Sequence, residues 1–89
     1  MSNASHVPRA EWLTRREDSR DIALAATHQL AEWQIRSSFV GMWFRIAADR
    51  LDSSDEARVV IDYDDSVGLL SFDAWVGERR VYGADDFVG

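Results

Sequence analysis

Two aspartates, Asp62 and Asp73, are the acidic side chains whose spacing is best suited to chemistry. They fall in neighbouring stretches that alternate like strands, and the pairing expected for those stretches puts both carboxylates on one sheet face, one diagonal step apart. Such a pair can shift a proton affinity or hold Mg²⁺. Arg45, Arg58 and Arg80 are expected nearby, and salt bridges to them would account for the same acids without catalysis.

Other catalytic or metal-binding patterns fit poorly. A calcium loop begun at Asp62 would place Val67 where glycine is needed and Asp73 where glutamate is needed. His6 and His28 have no partner at ligand spacing. The sequence contains no catalytic serine triad, phosphate-binding glycine loop, HExxH motif or dinucleotide fingerprint. We therefore expect no metal and no cofactor, and we favour a non-enzymatic role.

Composition narrows the class of protein. The 89 residues make one small domain, and the absence of cysteine excludes a disulfide scaffold, a thiolate zinc site and a thiol nucleophile. A net charge of -6 would repel a phosphate backbone, so we expect no nucleic-acid partner. All ten basic residues are arginine, as in GC-rich bacterial coding sequences, and no apolar run reaches the length of a membrane span. A bacterial cytoplasm is the expected location.

The N-terminal half predicts one long helix. Residues 1–7 are expected to be a flexible tail, and residues 8–13 a short helical turn begun at Pro8. Thr14 and Glu17 form a capping-box pair, which predicts a helix start near residue 15. An apolar stripe at helical spacing then extends the helix over 15–36; its members are Ile22, Ala26, Leu30 and Trp33.

The apolar run 39–48 fits two structures. Its even-numbered residues, from Val40 to Ala48, are all apolar, and Gly41 and the crowded aromatics disfavour a helix, so we predict a strand. On that interpretation Trp43 points to the opposite side from its apolar neighbours. The alternative interpretation extends the helix to Leu51.

The C-terminal half predicts an antiparallel meander with strands over 57–64, 69–76 and 79–83. Asp65 to Gly68 suits a four-residue hairpin loop. A loop of this length pairs Asp64 with Leu69, and it pairs apolar residues with apolar residues farther along the two strands. A two-residue turn at 77–78 then sets Trp75 opposite Arg80, and it further pairs residues 74 with 81 and 73 with 82.

These elements predict an α+β domain over 8–89, in which the helix covers one face of a sheet of three or four strands. The other face would carry aromatic residues among charged ones, with Trp75 between the guanidinium groups of Arg58 and Arg80. The candidate binding residues on this face are Trp43, Arg58, Leu69, Asp73, Trp75, Arg80 and Tyr82.

Three functions follow as hypotheses. The first is a protein interaction domain that forms a homodimer, or binds another chain, through this face or a sheet edge, because small cores gain most from association. The second is an immunity- or antitoxin-like inhibitor, whose acidic hairpin (Asp62, Asp64 and Asp65) meets a basic toxin or nuclease. The third is a small-molecule half-pocket with Asp62 and Asp73 as acid and base.

Overall fold

The computed structural model describes residues 8–88, which form a four-stranded antiparallel sheet with two helices on one face. The predicted tail over 1–7, with His6, lies outside the described residues. The strands are β1 (Arg9–Arg15), β2 (Glu56–Asp64), β3 (Leu69–Val76) and β4 (Arg79–Phe87), and the helices are α1 (Ser19–Glu32) and α2 (Val40–Asp49). The sheet order is β1-β2-β3-β4, and both helices lie between β1 and β2 in the chain. The predicted α+β class is confirmed.

The fourth strand is β1, so the predicted helical turn over 8–13 is wrong. Ala10, Trp12 and Thr14 alternate with exposed residues and pair with β2, where Trp12 lies opposite Val59. Thr14 is 4% exposed and donates its hydroxyl hydrogen to the carbonyl of Arg15 instead of capping a helix. The helix begins later, after a turn of 3₁₀ helix over Arg16–Asp18.

Helix α1 is shorter at its C-terminus than the predicted 15–36. The amide of Ile35 donates to the carbonyl of Leu30 at 2.9 Å, and the amide of Gln34 donates to Ala31 at 3.0 Å. These two bonds form a Schellman motif, which requires a left-handed residue at Gln34, where φ is 61°. Glycine normally fills this position, so the glutamine conceals the helix end in the sequence. The predicted stripe is confirmed, with Ala26 and Leu30 fully buried.

Residues 40–49 form a helix, so the predicted strand over 39–48 is wrong. Val40, Trp43, Phe44 and Ala47 recur at helical spacing, and each is buried. Trp43 is 3% exposed, and its ring centroid lies 5.7 Å from that of Phe72 on β3. The run is so rich in apolar residues that it satisfies both a two-residue and a 3.6-residue period, and packing against the sheet selects the helix.

The β2–β3 hairpin matches its prediction. Asp64 lies opposite Leu69, Tyr63 opposite Leu70 and Ile61 opposite Phe72. The Asp64 carboxylate accepts hydrogen bonds from the amide and hydroxyl of Ser66, and Gly68 closes the loop with φ at 71°. The two hydrogen bonds that Asp64 accepts and the left-handed conformation of Gly68 thus fix the register of β2 and β3.

The β3–β4 pair departs from its predicted register after the turn. Trp75 lies opposite Arg80 as predicted, but Ala74 lies opposite Tyr82 and Asp73 opposite Gly83, because the register shifts between Ala74 and Trp75. Val81 is the extra, unpaired residue of a β-bulge. The bulge places the consecutive side chains of Val81 and Tyr82 on the same face of the sheet. Tyr82 therefore points toward the helices, where its ring contacts that of Phe72 at a centroid distance of 6.0 Å.

The core lies between the helices and one face of the sheet. Its largest fully buried side chains are Phe44, Phe72, Ile61, Leu70 and Val59. Phe44 of α2 meets Phe72 of β3 edge to face, and the Ser19 hydroxyl of α1 bonds the carbonyl of Phe44 at 3.2 Å. No described helix is long and apolar enough to cross a membrane. In the part of the chain that the structure describes, no helix lies on the opposite face of the sheet.

Candidate interaction surface

The outer face of the sheet is the face opposite the helices, and its side chains form four rows that run across the strands. The first row is Leu13, Arg58, Trp75 and Arg80; the second is Glu11, Val60, Asp73 and Gly83; the third is Arg9, Asp62, Ser71 and Asp85; and the fourth is Asp64, Leu69 and Phe87. Strand alternation puts these residues on one side and the buried core residues on the other.

Arg80 crosses β4 to reach Asp73 on β3. Its Nε and Nη2 atoms both lie 2.7 Å from Oδ1 of Asp73. This path crosses Gly83, where an added Cβ would collide with the Arg80 guanidinium. A glycine at this point of the second row therefore lets a long side chain lie flat on the sheet and join the first row to the second.

A second set of ion pairs links β1 to β2. The Glu11 carboxylate forms ion pairs with Nη2 of Arg9 at 3.2 Å and with Nη1 of Arg58 at 3.4 Å. Nη1 of Arg9 also lies 3.7 Å from Oδ2 of Asp62. The hydrogen bonds from Arg9 and Arg58 lower the pKa of the exposed Glu11 carboxyl, with Arg9 the larger cause. The predicted sandwich of Trp75 between Arg58 and Arg80 is replaced by these contacts, because neighbouring carboxylates hold both guanidinium groups.

Asp62 behaves differently from the other acids of the outer face. Partial burial raises its pKa above the ordinary value of 3.8, the negative charges of Asp73 and Asp64 raise it further, and Arg9 opposes the shift. Asp62 and Asp73 are thus close enough to interact, as predicted. Asp62 is paired with Arg9, and Asp73 is paired with Arg80. The two aspartates therefore form salt bridges between strands, which fits a structural role better than a free acid and base.

The outer face also carries apolar side chains. Val60, in the second row, is only 4% exposed although no helix covers it, while Trp75 and Leu69 are half-buried. Leu13 is 61% exposed and Phe87 is 73% exposed, at opposite corners of the face. The accessible apolar side chains therefore lie in the first and fourth rows, and the ion-paired charges lie mainly in the two rows between them. A mixture of apolar and polar surface of this kind is common in protein interfaces.

Charge is unequally divided among the rows. The first row contains two arginines and no acid, whereas the third and fourth rows together contain three aspartates and one arginine. The Asp85 and Asp65 side chains are exposed at this acidic end of the sheet. The outer face is therefore basic at one end of its strands and acidic at the other.

All but two of the candidate binding residues lie together on the outer face. Trp43 is in the core and Tyr82 faces the helices, where the Arg50 guanidinium carbon lies 5.0 Å from the centre of its ring. The sequence pattern did not identify Leu13, Glu11 and Phe87 as members of this face. The alternation of Arg9 to Arg15 could have revealed the first two, whereas the bulge in β4 hides the period that places Phe87.

Metal ligation finds no support among the described residues. Within 8–88 no three His, Asp or Glu side chains are grouped so that they could hold an ion, and His28 is exposed on α1. No protein-family model, curated protein sequence or solved structure matches the chain. The outer face is therefore the feature from which a function can be inferred.

Proposed function

We propose that this chain is a non-enzymatic interaction domain that forms a homodimer through the outer face. The observation that carries the proposal is the charge difference between the first row and the third and fourth rows. A two-fold axis that lies between the sheets and across the strands places the basic end of each subunit over the acidic end of the other. This is an isologous contact in which every favourable pair occurs twice.

The central strands define the contacts. With this axis, β2 lies over β2 and β3 over β3, so Arg58 faces Asp64 of the partner subunit and Trp75 faces Leu69 of the partner subunit. Packed sheets lie about 10 Å apart and are rotated by about 30°, so the correspondence holds best near the axis and diverges toward β1 and β4. The half-buried aromatic and leucine side chains would fill the space between the sheets.

The expected affinity is modest. Four strands about 4.8 Å apart and four rows of residues cover on the order of 500 Å² per subunit, so the buried total of about 1,000 Å² is small for a specific interface. Burial of the remaining exposed surface of Leu13, Leu69, Trp75 and Phe87 contributes on the order of 5 kcal/mol per subunit before entropy costs. We expect a dissociation constant in the micromolar range.

Charge reversal with rescue tests the proposal. Arg58→Glu places two acids opposite each other across the interface, and Asp64→Arg alone places two arginines opposite each other. Each should weaken the dimer at least tenfold, while the double variant Arg58→Glu/Asp64→Arg should restore it. These residues are six positions apart on β2, roughly 20 Å, so rescue cannot come from contact within one chain. Sedimentation equilibrium over a concentration series measures the association.

The controls separate association from folding. Arg79→Glu makes the same charge change outside the outer face and should leave the dimer unchanged, and circular dichroism should show every variant folded. Trp75→Ala should weaken association without unfolding the chain. A chain that stays monomeric at hundreds of micromolar, or a double variant that is no better than either single variant, would overturn the proposal.

The acidic-inhibitor hypothesis is the second candidate, and it is favoured by the exposed Asp65 and Asp85 at the acidic end of the sheet. A basic partner recognised there would associate at a rate that falls steeply with added salt. In that case Asp65→Asn, which lies in the hairpin loop outside the four rows, would slow association with the basic partner and leave self-association nearly unchanged. Both candidates are compatible with the bacterial cytoplasm expected for a cysteine-free acidic chain.

A further inference from the structure

The helical side of the domain carries a groove that the fold leaves unfilled. A cavity of about 640 Å³ lies between α1 and α2, and its lining extends from the 3₁₀ turn to Thr27 of α1 and from Gly41 to Asp49 of α2. Phe44 and Ala23 contribute to its floor, and Leu24 stands beside it with 58% of its surface exposed. An exposed leucine next to an apolar cavity is the kind of surface that a partner covers.

Gly41 gives this groove its open shape. It lies in the first turn of α2, its φ is not in the left-handed region, and an added Cβ would meet no atom within 4 Å. Neither backbone conformation nor packing within residues 8–88 requires glycine here, and glycine in a helix is less favourable than alanine by up to about 1 kcal/mol. Close packing of a binding partner against this position would explain why the residue has no side chain.

The rim of the groove has a small excess of basic residues, although the protein as a whole is acidic. Arg16, Arg20 and Arg45 line it together with Glu17 and Asp49, and all five are exposed. None of the three arginines takes part in an ion pair with another residue of 8–88. The rim therefore offers three guanidinium groups to a partner, in a protein whose net charge is -6.

We infer that the groove binds an amphipathic helix of another protein, with an apolar stripe facing Phe44 and Leu24 and acidic residues on its flanks. A third helix laid between α1 and α2 is the recurring way in which a helical groove is filled, and the small side chains of Ala23, Gly41 and Ala48 permit close approach. Glutamates on the flanks would pair with Arg20 and Arg45. The groove lies opposite the outer face, so one domain could dimerise and bind this helix at once.

The test uses a designed peptide and the full chain. The probe is a fluorescein-labelled helical peptide with leucine at helical spacing and glutamate on both flanks; the matched peptide has lysine in place of each glutamate. Fluorescence anisotropy should show micromolar binding of the glutamate peptide and at least tenfold weaker binding of the lysine peptide.

Variants of the groove locate the binding. Gly41→Leu fills the groove with a good helix former, so it should remain folded and lose at least tenfold in affinity. Met42→Leu is the control, because Met42 is the next residue of α2 and does not line the groove. Arg20→Glu/Arg45→Glu should weaken binding of the glutamate peptide and strengthen that of the lysine peptide, whereas Arg79→Glu should change neither.

Three results would overturn the inference. They are equal binding of both peptides, unchanged affinity in Gly41→Leu, and binding of the chain to anionic phosphatidylglycerol vesicles in preference to the glutamate peptide. Sedimentation of the peptide complex separates this inference from the proposed dimer. Peptide binding to a chain that stays monomeric at hundreds of micromolar refutes the dimer alone, and a dimer that binds neither peptide refutes the groove alone.

Discussion

Replacement of Trp43 by alanine tests how the helices are joined to the sheet. Trp43 is 3% exposed, and its ring lies 5.7 Å from Phe72 and 6.1 Å from Phe39, centroid to centroid. Truncation of a buried tryptophan costs about 3–5 kcal/mol, from lost transfer energy and the cavity left behind. A chain of this length has roughly 4–13 kcal/mol of stability in total, so the variant should be near its unfolding threshold.

The assay is urea unfolding followed by far-ultraviolet circular dichroism at low protein concentration, where association adds little. With a slope of about 1–2 kcal/mol per molar urea, Trp43→Ala should lower the midpoint by roughly 1.5–5 M. Trp43→Phe keeps an aromatic ring against Phe72 and should cost clearly less. Trp75→Ala is the matched control on the outer face and should cost about 1–2 kcal/mol.

A different order of these variants would refute the placement of α2. If Trp43→Ala costs less than about 1 kcal/mol, or no more than Trp75→Ala, then Trp43 is a surface residue and the strand interpretation of 39–48 is correct. The stacking of Phe39 and Trp43 and the edge contact of Phe44 with Phe72 would then need another explanation.

Two further predictions concern single residues. Gln34→Gly should raise the free energy of unfolding by about 0.5–1 kcal/mol, because glycine adopts the left-handed conformation at this helix end without strain. Gln34→Ala is the control, and it should give no gain in stability to heat or urea. Asp62→Asn should stabilise the chain by less than about 1 kcal/mol at neutral pH. Because the pKa of Asp62 is raised in the folded state, its unfavourable ionisation appears as pH rises through that pKa, so the gain should vanish in urea titrations near pH 3.8 and below.

The part of the fold that is set by local chemistry could be predicted from the sequence. Asp64, Ser66 and Gly68 fix the loop between β2 and β3, and the apolar residues of both strands share one register. The same holds for Trp75 opposite Arg80, because Gly77 adopts the positive φ that a two-residue turn requires. These predictions needed only short-range signals.

The elements that depend on tertiary contacts could not be predicted. β1 is separated in sequence from its partner β2 by both helices. The two strands are joined by long-range pairs such as Trp12 with Val59, which local sequence signals do not reveal. The bulge in β4 leaves no mark in residues 79–83, yet it moves Tyr82 from the outer face to the helical face. The end of α1 at Gln34 depends on a strained residue that packing sustains.

The candidate surface was predictable in part for the same reason. Arg58, Leu69, Asp73, Trp75 and Arg80 were placed correctly on one face because β2 and β3 were in register. The partners of the arginines were wrong in part, because Glu11 belongs to the strand that the sequence pattern concealed. Loss of Trp43 and Tyr82 from this face lowers the affinity expected for a dimer.

The absence of cysteine makes a direct distance measurement simple. Ser71→Cys introduces a single labelling site in the third row, near the proposed two-fold axis, and Glu78→Cys introduces one in the β3–β4 turn at the basic end of the strands. Spin labels on each variant report the separation between the two subunits by pulsed electron resonance at high protein concentration.

The proposed two-fold axis predicts a short separation for labels at position 71, set by two sheets about 10 Å apart plus the label arms. It predicts a longer separation at position 78, because the turns lie at opposite ends of the dimer. Two short separations would contradict the axis across the strands. A long separation at position 71, or no interchain signal at all, would contradict association through the outer face.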